Sequence, residues 1–324
     1  MHALADQGMQ IQALAPEMCG TSFPGRASMI VGRPAAEHGI YGNKIWDESA
    51  RDGNGEGEFR RCNPYDILTP TIANFAKAAG HDVANVGFGM VRPEDCNVYC
   101  SPWWVDDVLN RARDDEPHPT DARWTMQGVQ LDPDERIAAL ASNGIEINIV
   151  NPSSDKTAKL SLAMLADQKL IEITAGLASS EQAPDLIMLE IAITDYYLHS
   201  YGSDHPLTEW SLRTADAQVG LPMDRLRQAG TLDDYNFAIM SGHDPMRDAI
   251  YCDQLLPEGV RWTSEGGMLL VAPRCDDEAK QVTAILAGIG IESWNNDFMP
   301  VALRHKLLAF THPEDAIFCF EKRQ

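Results

Sequence analysis

No apolar run in the 324-residue chain approaches the ~18–20 residues that cross a bilayer, so a membrane-spanning helix is not expected. The seven cysteines form no Cys-x-x-Cys pair, and Cys96 and Cys100 have no second pair nearby. A disulfide framework or zinc knuckle is therefore not expected, and buried thiols in a reducing compartment are. The opening residues lack the basic and apolar segments of a secretory leader, which sets a cytoplasmic location as the expectation. Basic residues are scarce: 26 Lys and Arg stand against 48 Asp and Glu, a net charge of −22. With no basic stripe to offset it, such a surface repels nucleic-acid polymers and anionic membranes, so neither is an expected partner. Any small phosphorylated substrate would be repelled at long range too, and a site for one would need local positive charge, from a metal ion or a helix N-terminus. Also absent are a Gly-x-Gly-x-x-Gly turn after an early strand and a Gly-x-Ser-x-Gly elbow. Their absence argues against a dinucleotide-binding dehydrogenase and a triad hydrolase.

What is present is an alternation of short apolar runs with longer helical patterns. Apolar spacing predicts helices over 66–79, 132–142, 156–178, 207–229 and 277–288. Strands are predicted at 82–88, 145–150, 185–193, 237–241, 267–272 and 316–320. This order implies an α/β fold, a three-layer sandwich with a mostly parallel central sheet and helices on both faces. Residues 50–63 are glycine-rich and charged and read as an exposed loop, while 92–130 read as an insertion or cap. Tyr99, Trp103 and Trp104 in that stretch either stack on a base or aromatic leaving group, or pack together under a loop.

Four constellations carry chemistry. The first is Thr21-Ser22-Phe23-Pro24-Gly25-Arg26, where Pro24 suits a first helical turn and Ser22 or Thr21 its N-cap. A hydroxyl there is either a plain cap or a nucleophile facing an anion. The second, His38-Gly39-Ile40-Tyr41-Gly42-Asn43, is a glycine turn whose Asn43 amide can donate to a phosphoryl oxygen. The third, Asp195 with His199 four residues on, follows an apolar strand and supplies one oxygen and one nitrogen ligand, a mix suited to Zn²⁺. The fourth is Ser241-Gly242-His243-Asp244, at the end of a predicted strand, where His243 is either a further ligand or a turn residue bonded to backbone, and Asp244 is a ligand only if the turn is rebuilt.

In this order the four pieces resemble the type I phosphodiesterase/nucleotide pyrophosphatase family of the alkaline phosphatase superfamily; the phosphonoacetate hydrolases are similar too. The resemblance spans nearly the whole chain and implies one alkaline phosphatase-like domain over 1–324. It implies a metal-dependent hydrolase of phosphodiesters, nucleotide pyrophosphates or related phosphoryl substrates, with Ser22 as nucleophile and metal ligand and Asn43 on the phosphate. Two divalent metals, zinc by family precedent, are implied, with Asp195 and His199 on one and Ser22 and His243 on the other. The sequence departs from the family pattern in several places. Gly242 stands where the family has a metal-binding Asp, and Gly25 and Arg26 replace Asn and His. Arg26 is either a solvated helix residue or a phosphate contact. The family's first strand with its Asp-Gly, and its final His-Gly, are not found in the sequence. The alternative expectation is accordingly a truncated or degenerate relative that binds a phosphorylated ligand or partner without turnover.

Overall fold

The computed structural model describes residues 4, 6–11, 19–49, 56–105, 129–145, 147, 156–241, 249–251, 255–312 and 317–319. They form two compact units, each discontinuous in sequence. One comprises 1–14 and 72–240, the other 15–71 and 241–324. Along the chain the elements are α1 (Ser22–Val31), α2 (Ala35–His38), β1 (Lys44–Asp47), β2 (Glu58–Arg61), α3 (Ile72–Ala78), β3 (Val83–Val86), β4 (Val98–Cys100) and β5 (Val129–Leu131). There follow α4 (Arg136–Ser142), α5 (Lys156–Ala178), β6 (Leu186–Leu189), α6 (Ile193–Tyr201) and α7 (Pro206–Ala229). The remainder comprises β7 (Ala249–Tyr251), β8 (Arg261–Glu265), β9 (Met268–Ala272), α8 (Asp276–Ala287), β10 (Glu292–Trp294), β11 (Leu308–Thr311) and β12 (Ile317–Cys319). The fold is mixed α/β, with parallel strands and helices, as the alternation in the sequence implies.

In the first unit the sheet runs β5-β4-β3-β6. The central β3 lies parallel to both neighbours, pairing Val86 with Cys100 and with Leu189, while β5 joins β4 antiparallel. Every residue of β3 is buried, which is why Val-Ala-Asn-Val shows no polar alternation. Its one polar member, Asn85, donates to the carbonyls of Phe88 and Cys100 at 3.2 and 3.3 Å. The long α5 supplies a buried series that includes Leu160, Ala163, Ala166, Leu170 and Ile171, at the three- and four-residue intervals of a helix face. The stretch 92–130 contributes its ends, β4 and β5, to this sheet, and its residues 106–128 lie outside the described residues.

In the second unit an antiparallel sheet runs β10-β11-β9-β8, and its core joins Leu269, Val271 and Phe310 to Val282 and Leu286 of α8. Two pairs accompany it, β1 with β2 antiparallel and β7 with β12 parallel. Part of the stretch expected as an exposed loop, 58–61, is therefore a strand, with Phe59 packed edge-on to Trp46 at 5.2 Å.

Two further expectations are corrected. The helix expected over 66–79 begins only at Ile72. Pro70 lacks an N–H and biases Thr69 away from helix, and Asn63 instead caps a short turn at Pro64–Asp66 through a reciprocal bond with Asp66. Residues 237–241 pair with no strand among the described residues, and Phe237, Ile239 and Met240 are exposed. A short apolar run becomes a strand only when a neighbour takes its backbone bonds. Most of the expected strand 145–150 lies outside the described residues. No described helix is long and apolar enough to cross a membrane.

Candidate functional site

In the second unit the start of α1 is assembled from three distant pieces of chain. Thr21 occupies the N-cap position with extended backbone, yet its side chain makes no capping bond. Its Oγ1 is buried and meets no hydrogen-bond partner among the described residues. The cap comes from elsewhere: the Phe23 N–H donates to Asn43 Oδ1 at 2.9 Å. A helix start leaves backbone N–H groups without internal partners, and a carboxamide oxygen satisfies one as well as a local Ser does. Ser22 is the first residue of α1, so Asn43 is fastened within one residue of it. Because the Asn43 oxygen is committed to Phe23, its NH₂ is the group left to donate to a ligand.

His38 makes a second fastening between the same two segments. The Ile40 N–H donates to His38 Nδ1 at 3.1 Å, so that nitrogen carries no proton. In the neutral ring Nε2–H then faces Ser28 Oγ at 2.8 Å, one and a half turns along α1. His38 is fully buried, and burial pushes its pKa down to about 4 against the opposing effect of a hydrogen bond to its own backbone. Arg26 turns over the Phe23 ring, 5.9 Å from its centroid.

The turn carrying Asn43 is itself held by Glu265 at the end of β8. One carboxylate oxygen accepts the Asn43 N–H, and the other accepts the Lys44 N–H at 3.0 Å. The Thr263 hydroxyl lies 3.3 Å from the same carboxylate. Glu265 is 1% exposed; burial raises its pKa to about 7, while the N–H donors and the Lys44 charge oppose the rise. Burial in turn lowers Lys44, with the Glu265 charge opposing. Glycine is required at 42, where an added Cβ would lie 2.8 Å from the Glu265 carboxyl carbon.

In the first unit a similar device holds the other pair of expected residues. β6 ends at Leu189, and α6 starts at Ile193 and carries Asp195 and His199 on consecutive turns. Asp167 of α5, fully buried, accepts the Ile193 N–H at 2.7 Å through one oxygen and the Trp103 indole N–H at 2.7 Å through the other. Desolvation raises Asp167 to about 7, against these hydrogen bonds. Asp195 Oδ1 and His199 Nε2 meet at 3.3 Å with their head groups partly or largely exposed.

The structure thus joins the Ser22 helix to Asn43, and Asp195 to His199. His243 and Asp244 lie outside the described residues. The reading of Tyr99, Trp103 and Trp104 as a base-stacking group is not supported. All three are buried, and Trp103 is spent on Asp167 and on Tyr196, whose ring lies 4.9 Å away. Large aromatics bury most area when packed inside, which decided the alternative left open by the sequence.

For the implied metals, Asp195 and His199 fit in donor type, one oxygen and one nitrogen within reach of a common point. In number they fall short of the three protein ligands of a catalytic zinc, and no cluster of three or more His, Cys, Asp or Glu positioned for a metal occurs among the described residues.

Sequence reasoning missed Glu265 and Asp167. Each had a signal. Glu265 shares a strand face with the buried Thr263, and Asp167 sits on a helix face between Ala163 and Leu170, where a charge has no business without partners.

Among solved structures the chain is similar to murine ectonucleotide pyrophosphatase/phosphodiesterase 5, in an inactive variant in complex with AMP, at a TM-score of 0.57 and 12% identity, covering 99% of this chain and 75% of that one. A second murine structure of that protein gives 0.57 and 13% identity over 96% and 72% of the two chains. The human protein gives 0.53 and 14% over 94% and 71%. At these identities the likeness speaks for the fold. No curated protein sequence matches the chain. Residues 1–312 match the profile of the type I phosphodiesterase/nucleotide pyrophosphatase family, and the chain belongs to that family.

Proposed function

We propose that the chain hydrolyses a phosphodiester or nucleotide pyrophosphate through a phosphoseryl intermediate on Ser22. Family membership supports the reaction class, and the murine relative's complex with AMP supports a nucleotide-sized ester as ligand. The observation that carries the reading is the bond from Phe23 N–H to Asn43 Oδ1, which holds a carboxamide donor beside the first hydroxyl of α1. In this reading Ser22 Oγ forms a bond to phosphorus while the leaving oxygen departs from the opposite side. Asn43 donates its NH₂ to a phosphoryl oxygen, where negative charge builds, and needs no rearrangement to do so. Water then cleaves the phosphoserine and regenerates the hydroxyl. Divalent cations, zinc in this proposal, would supply a lowered serine pKa and neutralisation of the leaving oxygen. Asp195 and His199 would hold one, and Ser22 and His243 would serve the other.

A second reading, binding of a phosphorylated ligand without turnover, is favoured by Gly242, which stands where the family places a metal-ligating Asp. Hydrolysis of bis-p-nitrophenyl phosphate and of the p-nitrophenyl ester of thymidine monophosphate, with Zn²⁺ or Mn²⁺ added, separates the two. Turnover that disappears in Ser22→Ala is the expected result. Equal background rates in both proteins sink the hydrolase reading.

A further inference from the structure

Glu265 is a buried acid 222 positions away in sequence from Asn43. A buried carboxylate is costly unless its oxygens are well supplied with donors. Here the donors are two consecutive backbone N–H groups, of Asn43 and Lys44, together with the Thr263 hydroxyl. Only a carboxylate presents two acceptor oxygens side by side. A glutamine would keep an acceptor for one of the two N–H groups and place an NH₂ against the other, which is left without an acceptor. The turn is also tied to β2 and to Cys62 beyond it: Lys44 pairs with Arg61, and Cys62 Sγ lies 3.4 Å from the Gly42 carbonyl. Those bonds leave the Asn43 and Lys44 N–H groups to Glu265. Gly42 contributes no side chain, and the Asn43 carbonyl is taken by the Cys62 N–H at 3.1 Å. The Asn43 side chain is then committed in the other direction, to the Phe23 N–H at the start of α1. A continuous path runs from β8 through the Asn43 backbone to the Asn43 amide and the Ser22 end of the helix, all inside one compact unit.

We propose that Glu265 is a positioning residue for phosphoryl transfer: its two oxygens fix the Gly42–Lys44 turn so that the Asn43 carboxamide both caps α1 and aims its NH₂ at the substrate phosphoryl group. Glu265 touches no substrate and acts through Asn43. The inference rests on the hydrolase reading for its kinetic consequence and on geometry alone for its structural one, so the test has two arms.

In the structural arm, hydrogen exchange is measured on wild type and Glu265→Gln without substrate. Loss of the cap is expected to speed exchange of the Phe23 amide about tenfold or more while amides of β9 and β11 keep their protection. In the kinetic arm, bis-p-nitrophenyl phosphate is the probe. Glu265→Gln is expected to lower kcat about 100-fold with KM changed by less than about 3-fold, the signature of a misaimed donor. In an Asn43→Ala background the same substitution should change kcat by less than about 3-fold, because its route is gone. A merely structural Glu265 gives losses that multiply in the double variant, and that result overturns the proposal. So does unchanged Phe23 protection in a folded Glu265→Gln. If that variant does not fold, Glu265→Asp keeps the charge but withdraws the carboxylate by one methylene. The same faster exchange is expected from it, and unchanged protection again overturns the inference. Absence of turnover in wild type defeats the hydrolase reading and leaves the exchange arm to decide Glu265 on its own.

Discussion

Protonating His38 should loosen the clasp between α1 and the Asn43 turn, and the cost can be worked from its surroundings. The ring is fully buried, accepts the Ile40 N–H at Nδ1 and meets Ser28 Oγ at Nε2. A proton on Nδ1 would set donor against donor and place a charge where water does not reach. Burial accordingly holds the folded-state pKa down at about 4, against the ordinary 6.5. Between those values the unfolded chain binds more protons than the folded one, so stability falls as pH falls. From pH 7 to pH 5 the His38 contribution lost is about 2 kcal/mol, at about 1.4 kcal/mol per pKa unit. The perturbation is His38→Asn, whose oxygen can still accept from Ile40 but which does not titrate. Its pH 7 stability should be lower by about 1–2 kcal/mol, through loss of the Ser28 bond and of ring packing. Its deficit should then shrink on acidification, because wild type alone pays for the proton. Urea unfolding of both proteins at pH 7, 6 and 5 measures the difference, and the other titrating groups cancel. Parallel profiles would refute the reasoning, as would an NMR titration placing the buried imidazole near 6.5.

Asp167→Asn should cost about 1–3 kcal/mol in urea unfolding, since one of the Trp103 and Ile193 N–H groups then meets an NH₂. The folded Asp167 pKa is raised to about 7, so wild type loses stability as pH rises through the range up to that value. The deficit of the Asn variant should narrow over the same range, and a deficit that widens would contradict the assignment. Gly87→Ala should destabilise by about 2–5 kcal/mol by the same measurement, from a left-handed backbone and overpacking combined. Gly87 has φ +80°, and an added Cβ would lie 2.4 Å from Leu170 Cδ1. A change below about 0.5 kcal/mol, the level of a surface substitution, would exclude that clash.

Much of the fold was legible because its signals are local. The helix at Lys156–Ala178 matches its predicted bounds, since a long apolar series at helical spacing has few other outcomes. Pro206 and Gly230 punctuate α7 at both ends, and Met268–Ala272 is apolar throughout and buried throughout. The order of the motifs was enough to indicate the family. Other features depended on partners that no local pattern contains. Residues 237–241 have strand composition but no pairing neighbour among the described residues, and the start of α3 was displaced by the Asn63–Asp66 turn. Thr21 had the right chemistry for a cap, yet the cap came from Asn43. The sequence by itself determined which residues are the candidates for the chemistry: Ser22, Asn43, Asp195 and His199 stand out by type and order. Only the tertiary structure decided what holds them. A buried carboxylate from a distant element accepts backbone N–H groups at each place, Glu265 for Asn43 and Asp167 for the start of α6. Burial makes such a group visible, because there an acid must find donors or lose its charge.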